Sequence, residues 1–129
     1  MKTCEISAMI DAYCDGDCLI LAFALHWMCG WKVFALSEKD ANVHLHFAAE
    51  GPGGDAWDAR GPRHFDVARD DYADDGIWVE IDPYRFICTD PNVDEERITQ
   101  ACRDAETIFP GSLDEHVMRR PKEIQGEFA

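Results

Sequence analysis

Basic side chains are scarce in this chain of 129 residues, which has 12 Lys and Arg against 26 Asp and Glu. The formal net charge is −14. Because binding to phosphate groups needs Lys and Arg, this deficit argues against nucleic acid and against a membrane surface as partners. A basic protein is the kind of macromolecular partner that the charge favours.

Long apolar runs are lacking as well. The longest, from Cys18 to Gly30, contains His26 and is too short to span a bilayer. The N-terminus lacks the basic-then-apolar layout of a signal peptide, so we expect a cytoplasmic protein. Six cysteines could form three disulfides, but in a reducing compartment we expect most of them to be buried, unreactive thiols.

Hydrophobic periodicity predicts an α+β fold. A short amphipathic helix opens the chain, and residues 18–29 are apolar on nearly every face, which is typical of a central core helix. Gly30 is a suitable residue to end that helix. The other predicted elements are strands at 31–36, 43–49, 56–59 and 77–81, and helices at 65–75 and from about 93 to 108. We expect one domain over residues 1–109 and a polar, loosely attached tail over residues 110–129.

Cys18 is distinguished from the other cysteines by its position at the start of the core helix. A helix N-terminus concentrates unpaired N–H groups and partial positive charge, which lowers the pKa of a thiol. A free cysteine with a pKa of about 8.5 is only slightly ionised at neutral pH, so reactive sulfur also needs a nearby imidazole. The position predicts a nucleophile, although Cys18 alone could equally be an unreactive core thiol.

Two histidines, His44 and His46, point to the same face of the predicted strand 43–49. If the following hairpin is centred near Pro52 and Gly53, His46 lies beside Asp58, whereas His44 lies nearer the end of the next strand. We therefore expect His46 to be the base and Asp58 to orient its ring. Cys18, His46 and Asp58 together form a nucleophile–base–orienter arrangement.

These motifs resemble a known superfamily. Gly16-Asp17-Cys18 on a buried helix, His46 ahead of a Gly-rich hairpin, and Asp58-Ala-Arg-Gly61 on the return are similar to papain-like cysteine hydrolases, especially the small NlpC-type peptidases and amidases. The resemblance covers residues 14–62. It implies a papain-like fold, in which a buried N-terminal nucleophile helix packs on an antiparallel sheet with a C-terminal helix. It also implies a Cys18–His46–Asp58 triad.

Three further residues are candidates for oxyanion stabilisation or substrate binding. Tyr13 is the nearest uncharged polar side chain upstream apart from Cys14, and the Cys18 backbone N–H is the firmer candidate for an oxyanion hole. Trp57 could line a substrate groove beside His44. Core packing is the alternative for both aromatic residues, and solvent exposure is the alternative for His44.

A zinc site is the remaining alternative at these positions. Cys14, Cys18, His44 and His46 offer thiolate and imidazole ligands, but the cysteine spacing is looser than in zinc fingers. We therefore expect neither a metal nor a cofactor.

Two functions follow from the sequence. The first is a thiol hydrolase that cleaves an amide bond in a peptide, protein or small amide, as a peptidase, amidase or deamidase. Cys18 would attack the carbonyl to form a thioester, and His46 would protonate the leaving amine. The second is a non-enzymatic acidic inhibitor or adaptor that binds a basic partner.

Overall fold

The computed structural model describes residues 3–38, 44–90 and 93–119, with only the backbone of residues 86–88. The side chain of Cys88 therefore lies outside the described part of the chain. The fold is α+β, as predicted, with an antiparallel sheet of five strands. In chain order the elements are α1 (Thr3–Cys14), α2 (Cys18–Cys29), β1 (Lys32–Ser37), β2 (His44–Glu50), β3 (Ala56–Asp58), β4 (Gly61–Arg63), α3 (Phe65–Asp70), β5 (Ile77–Ile81), α4 (Tyr84–Thr89) and α5 (Glu95–Ile108).

The core helix α2 packs against one face of the sheet. Between Leu19 and Cys29 every residue except His26 is buried, which confirms its predicted role. Gly30 ends the helix with a left-handed φ of 75°, and its N–H donates to the His26 carbonyl at 2.7 Å. The strand residues of this core are Val33, Ala35, Phe47 and Ala49, and α5 contributes Ile98, Ala101, Cys102 and Ala105.

The other face of the sheet carries a second, smaller core. It contains Ala48 and Ala56 of the sheet and Ala68 of α3, with Phe65 and Trp78 packed against them. Since successive side chains on a strand point to opposite faces, His46 shares this face with Ala48, whereas Phe47 points towards α2. The imidazole of His46 and the core helix thus lie on different sides of β2.

The hairpin between β2 and β3 is centred on Gly53, which corrects the predicted register. Ala49 lies opposite Trp57 and Glu50 opposite Ala56. The loop closes through hydrogen bonds of 2.9 Å from Gly51 N–H to the Asp55 carbonyl and 3.0 Å from Gly54 N–H to the Gly51 carbonyl. The prediction placed the centre too early because it did not include Asp55 in the loop.

Two elements between this hairpin and β5 differ from prediction. The helix expected over residues 65–75 ends at Asp70, because a run of aspartates opposes the negative end of the helix dipole. Gly61–Arg63, which follows the predicted strand 56–59, forms β4 at the edge of the sheet, where the missing N–H of Pro62 can be tolerated.

The polar segment after α5 is attached to the core as far as the structure describes it. Leu113 is 1% exposed, and the Met118 N–H donates to the Met28 carbonyl of α2 at 2.7 Å. Residues 120–129 of the predicted tail lie outside the described residues. Within the described ranges, no helix combines the length and the apolar character that crossing a membrane would require.

Candidate active site

His46 and Asp58 form a buried hydrogen-bonded pair. The distance from His46 Nε2 to Asp58 Oδ2 is 2.9 Å, and the two residues are 0% and 3% exposed. Continuing the observed register sets Asp58 opposite Ala48, so His46 is its diagonal neighbour on the same face of the sheet. The expected contact is therefore present, although the strand pairing that produces it differs from the one predicted.

Asp58 is held by two further donors. The backbone N–H of Arg60 donates to Oδ1 at 2.8 Å, and the Arg63 guanidinium donates to Oδ2 at 3.2 Å. Burial by itself raises the pKa of the Asp58 carboxyl, but hydrogen bonds from His46 and Arg60 and the charges of His46 and Arg63 outweigh burial, so the pKa is lowered. Asp58 is therefore an ionised carboxylate at neutral pH.

The second ring nitrogen of His46 is available for chemistry. His46 Nδ1 is buried and has no hydrogen-bond partner among the described residues. Because Nε2 donates its proton to Asp58, the neutral ring carries its lone pair on Nδ1, which is the arrangement of a general base. The ring stacks on Tyr72 with a centroid distance of 4.1 Å and an interplanar angle of 17°.

Sequence analysis did not identify Tyr72 or Arg63 as part of this site. Tyr72 lies in an acidic run that predicts a solvated helix face, and the early end of α3 at Asp70 is what turns its ring over His46. Arg63 follows a proline and lies beyond the end of the predicted strand 56–59. An aromatic residue within a run of aspartates was the one signal that the sequence offered.

Cys18 begins α2, and its thiol lies against the part of β2 that is not paired with β3. The pairing between β2 and β3 ends at Ala49, and the thiol is hydrogen-bonded by the backbone of Phe47, the residue after His46. Burial raises the pKa of the Cys18 thiol, and the hydrogen bonds from the Phe47 and Leu19 backbones lower it by less. This corrects the expectation that the helix N-terminus would lower the pKa, because desolvation outweighs that effect here.

The structure does not join Cys18 to His46 by a hydrogen bond, because Nε2 is taken by Asp58 and Nδ1 has no partner among the described residues. Asp17, the residue before α2, makes no side-chain cap and instead pairs with Arg97 of α5 at 2.8 Å. The first-turn N–H groups of α2 therefore receive no cap from that carboxylate. These groups include the backbone N–H of Cys18, which is the candidate oxyanion donor.

The other candidate residues lie apart from this pair. The Tyr13 hydroxyl donates to Asp104 of α5 at 2.6 Å, and burial together with that hydrogen bond raises the Tyr13 pKa. Trp57 packs on the α2 face of the sheet against Trp31 and Phe109, with centroid distances of 5.1 and 5.2 Å. The structure thus gives Tyr13 and Trp57 roles in packing.

His44 is exposed at the start of β2, and its Nδ1 lies 3.1 Å from Ser37 Oγ. It does not take part in the His46–Asp58 pair. Among the described residues, no three His, Cys, Asp or Glu side chains are grouped so that they could hold a metal ion, and this includes the four proposed zinc ligands.

This site can orient an imidazole and keep its base nitrogen shielded from water, with a neutral thiol at the neighbouring helix start. The oriented His46–Asp58 pair is a chemical feature that the fold alone does not require. No family model, curated protein or solved structure matches this chain.

Proposed function

We propose that this chain is a papain-like thiol hydrolase that cleaves an amide bond, with Cys18 as nucleophile, His46 as base and Asp58 as the orienting carboxylate. The observation that carries this proposal is the 2.9 Å hydrogen bond from His46 Nε2 to Asp58, which leaves Nδ1 buried and without a partner in the described chain. A buried polar atom without a partner costs free energy, so its retention favours a functional role.

In the reaction, His46 Nδ1 accepts the proton of the Cys18 thiol as the sulfur attacks the substrate carbonyl. The negative charge that develops on the carbonyl oxygen is met by the N–H groups at the start of α2. His46 then gives its proton to the leaving amine, and a thioester forms between the acyl group and sulfur. Water, deprotonated by His46, hydrolyses the thioester and restores the thiol.

The described arrangement is a resting one, because the thiol is neutral at pH 7 and is not bonded to the imidazole. Catalytic hydrogen bonds in unliganded enzymes are often long or unformed and tighten when substrate binds. The contact between the thiol and the Phe47 backbone keeps Cys18 beside the strand residue that follows His46. Because the His46 ring and α2 lie on different sides of β2, the mechanism requires the start of α2 and the segment around His46 to shift so that the thiol reaches Nδ1.

The test is hydrolysis of a panel of fluorogenic peptide amides and simple amides by the purified protein. Cys18→Ala should abolish turnover, whereas Cys14→Ala, which removes the neighbouring half-buried thiol, should not. His46→Ala should lower the rate by about a hundredfold or more, the usual contribution of a positioned base, and His44→Ala should change it little. Turnover that survives Cys18→Ala would refute the proposal.

A second candidate is a non-enzymatic protein that binds a basic partner. The net charge of −14 and the raised pKa of the Cys18 thiol favour it, because a neutral thiol is a poor nucleophile. Association with a basic protein should then weaken steeply with salt and be the same for Cys18→Ala as for the wild type. Binding that depends on Cys18 would contradict this second candidate.

A further inference from the structure

Arg63 of β4 bridges two carboxylates that belong to different parts of the site. One terminal nitrogen donates to Asp58 Oδ2 at 3.2 Å, and the other donates to Asp71 Oδ2 at 2.6 Å. The Arg63 side chain is 23% exposed, and its Nε is buried without a hydrogen-bond partner in the described chain. A planar guanidinium can make both contacts at once, which a lysine ammonium cannot do with the same geometry.

Asp71 directly precedes Tyr72, the residue that covers His46. The Tyr72 hydroxyl accepts a hydrogen bond from Arg60 at 3.1 Å and donates to the Cys14 carbonyl at 3.4 Å. Arg60 also lies 3.5 Å from Asp71. Two arginines of the β3–β4 hairpin therefore hold the Asp71–Tyr72 segment against the face of the sheet that carries His46.

From these contacts we propose that Arg63 is a positioning residue that couples the orientation of Asp58 to the closure of Tyr72 over His46. When Tyr72 is closed, His46 is fully buried and no substrate can reach Nδ1. When the contact between Arg63 and Asp71 breaks, Arg60 and the Cys14 carbonyl alone hold the segment, so Tyr72 opens more readily and His46 becomes more accessible. The assignment of His46 and Asp58 as catalytic rests on the proposed function, but the coupling itself does not.

The charged and titratable groups around the pair are few. Asp58 faces Arg63 from β4 and Arg60 from the adjoining turn, and the thiols of Cys14 and Cys18 lie close enough to feel its charge. Tyr72, from the segment after α3, faces His46. Arg63 is the member of this set that contacts both Asp58 and Asp71 through hydrogen bonds.

The experiment compares Arg63→Met with Arg69→Met, a matched control. Arg69 is also an arginine paired with aspartates, but its partners are Asp66 and Asp70 on the surface of α3. The first readout is the titration of Asp58, followed by carbon-13 NMR of its carboxyl group. Arg63→Met should move that titration upward in pH, because it removes a positive charge beside the Asp58 carboxylate. Arg69→Met should leave the titration unchanged, because Arg69 pairs with Asp66 and Asp70 instead.

The second readout is the rate at which diethyl pyrocarbonate modifies His46, measured by peptide mass mapping with exposed His64 as the reference. Arg63→Met should raise this rate about threefold, the factor that corresponds to losing roughly 0.7 kcal/mol of a partly exposed ion pair. Asp71→Asn, which leaves the contact between Arg63 and Asp58 in place, should raise the rate without moving the Asp58 titration upward.

The outcomes separate this inference from the proposed function, because neither readout requires turnover. An unchanged Asp58 titration in Arg63→Met, or unchanged His46 modification in Asp71→Asn, would overturn the coupling even if the protein hydrolyses amides. If Arg63→Met does not fold, Asp71→Asn still decides whether the anchoring of Tyr72 controls access to His46. Loss of turnover in Cys18→Ala bears on the hydrolase and leaves the coupling as it stands.

Discussion

Replacing Asp58 with alanine should strongly destabilise the fold, because three donors share this one carboxylate. His46 Nε2–H, the Arg60 N–H and the Arg63 guanidinium all donate to it, and Asp58 is 3% exposed, so water cannot take its place. Removing one partner of a buried pair costs about 3–5 kcal/mol. That is a large part of the roughly 5–15 kcal/mol by which a domain is usually stable.

The loss should also depend on pH in a defined direction. The pKa of Asp58 is lowered in the folded state, so its contribution to stability is complete above the pKa of the unfolded chain, about 3.9, and is lost as the pH falls through the folded pKa. The gap in stability between wild type and Asp58→Ala should therefore be constant near pH 7 and shrink when the pH falls below about 4.

Urea unfolding followed by tryptophan fluorescence measures this gap, with Asp55→Ala as control. Asp55 is an exposed aspartate on the same hairpin, so its removal should change the free energy of unfolding by no more than about 0.5 kcal/mol. If Asp58→Ala is no less stable than Asp55→Ala at pH 7, or if the gap does not shrink in acid, the account of Asp58 as a buried ionised anchor is refuted.

Two further expectations concern Cys18 and the hairpin glycine. Iodoacetamide at pH 7 should alkylate exposed Cys4 well before Cys18, whose thiol has a raised pKa, and the rate at Cys18 should rise towards pH 9; peptide mass mapping that finds Cys18 labelled first would contradict this. Gly51→Ala should lower the melting temperature, because its Cβ would collide with the Trp57 indole at a cost of about 1–3 kcal/mol. Gly53→Ala, whose Cβ would meet nothing within 4 Å, is the control, and equal melting temperatures for the two variants would count against the packing described for Trp57.

The local pattern of apolar and polar residues was sufficient to predict the helix and the strands that carry Cys18, His46 and Asp58. The apolar run after Asp17 predicts a buried helix, and Gly30 marks its end through a backbone conformation that other residues rarely adopt. Alternation along strands also made the common face of His46 and Asp58 predictable. An error of two residues in register keeps both side chains on the same face, so the contact survives a wrong hairpin centre.

Other features depend on residues far apart in the chain and could not be obtained from spacing. Asp17 pairs with Arg97, 80 positions away, instead of capping α2, and the Tyr13 hydroxyl bonds Asp104, 91 positions away. Tyr72 reaches His46 because Arg60 and Arg63 of the β3–β4 hairpin hold the segment after α3 against the sheet. Spacing within the sequence does not reveal any of these contacts, because both members of each pair are brought together only when the chain folds.

The sequence by itself therefore determined the order of the helices and strands apart from β4, the position of Cys18 at a helix start, and the shared face of His46 and Asp58. Only the tertiary structure decided which ring nitrogen of His46 is bonded, that Arg63 links Asp58 to Asp71, and that the pKa of the Cys18 thiol is raised. The reason is that periodicity and turn chemistry act within a few residues, whereas desolvation and ion pairing depend on every segment that packs around a group.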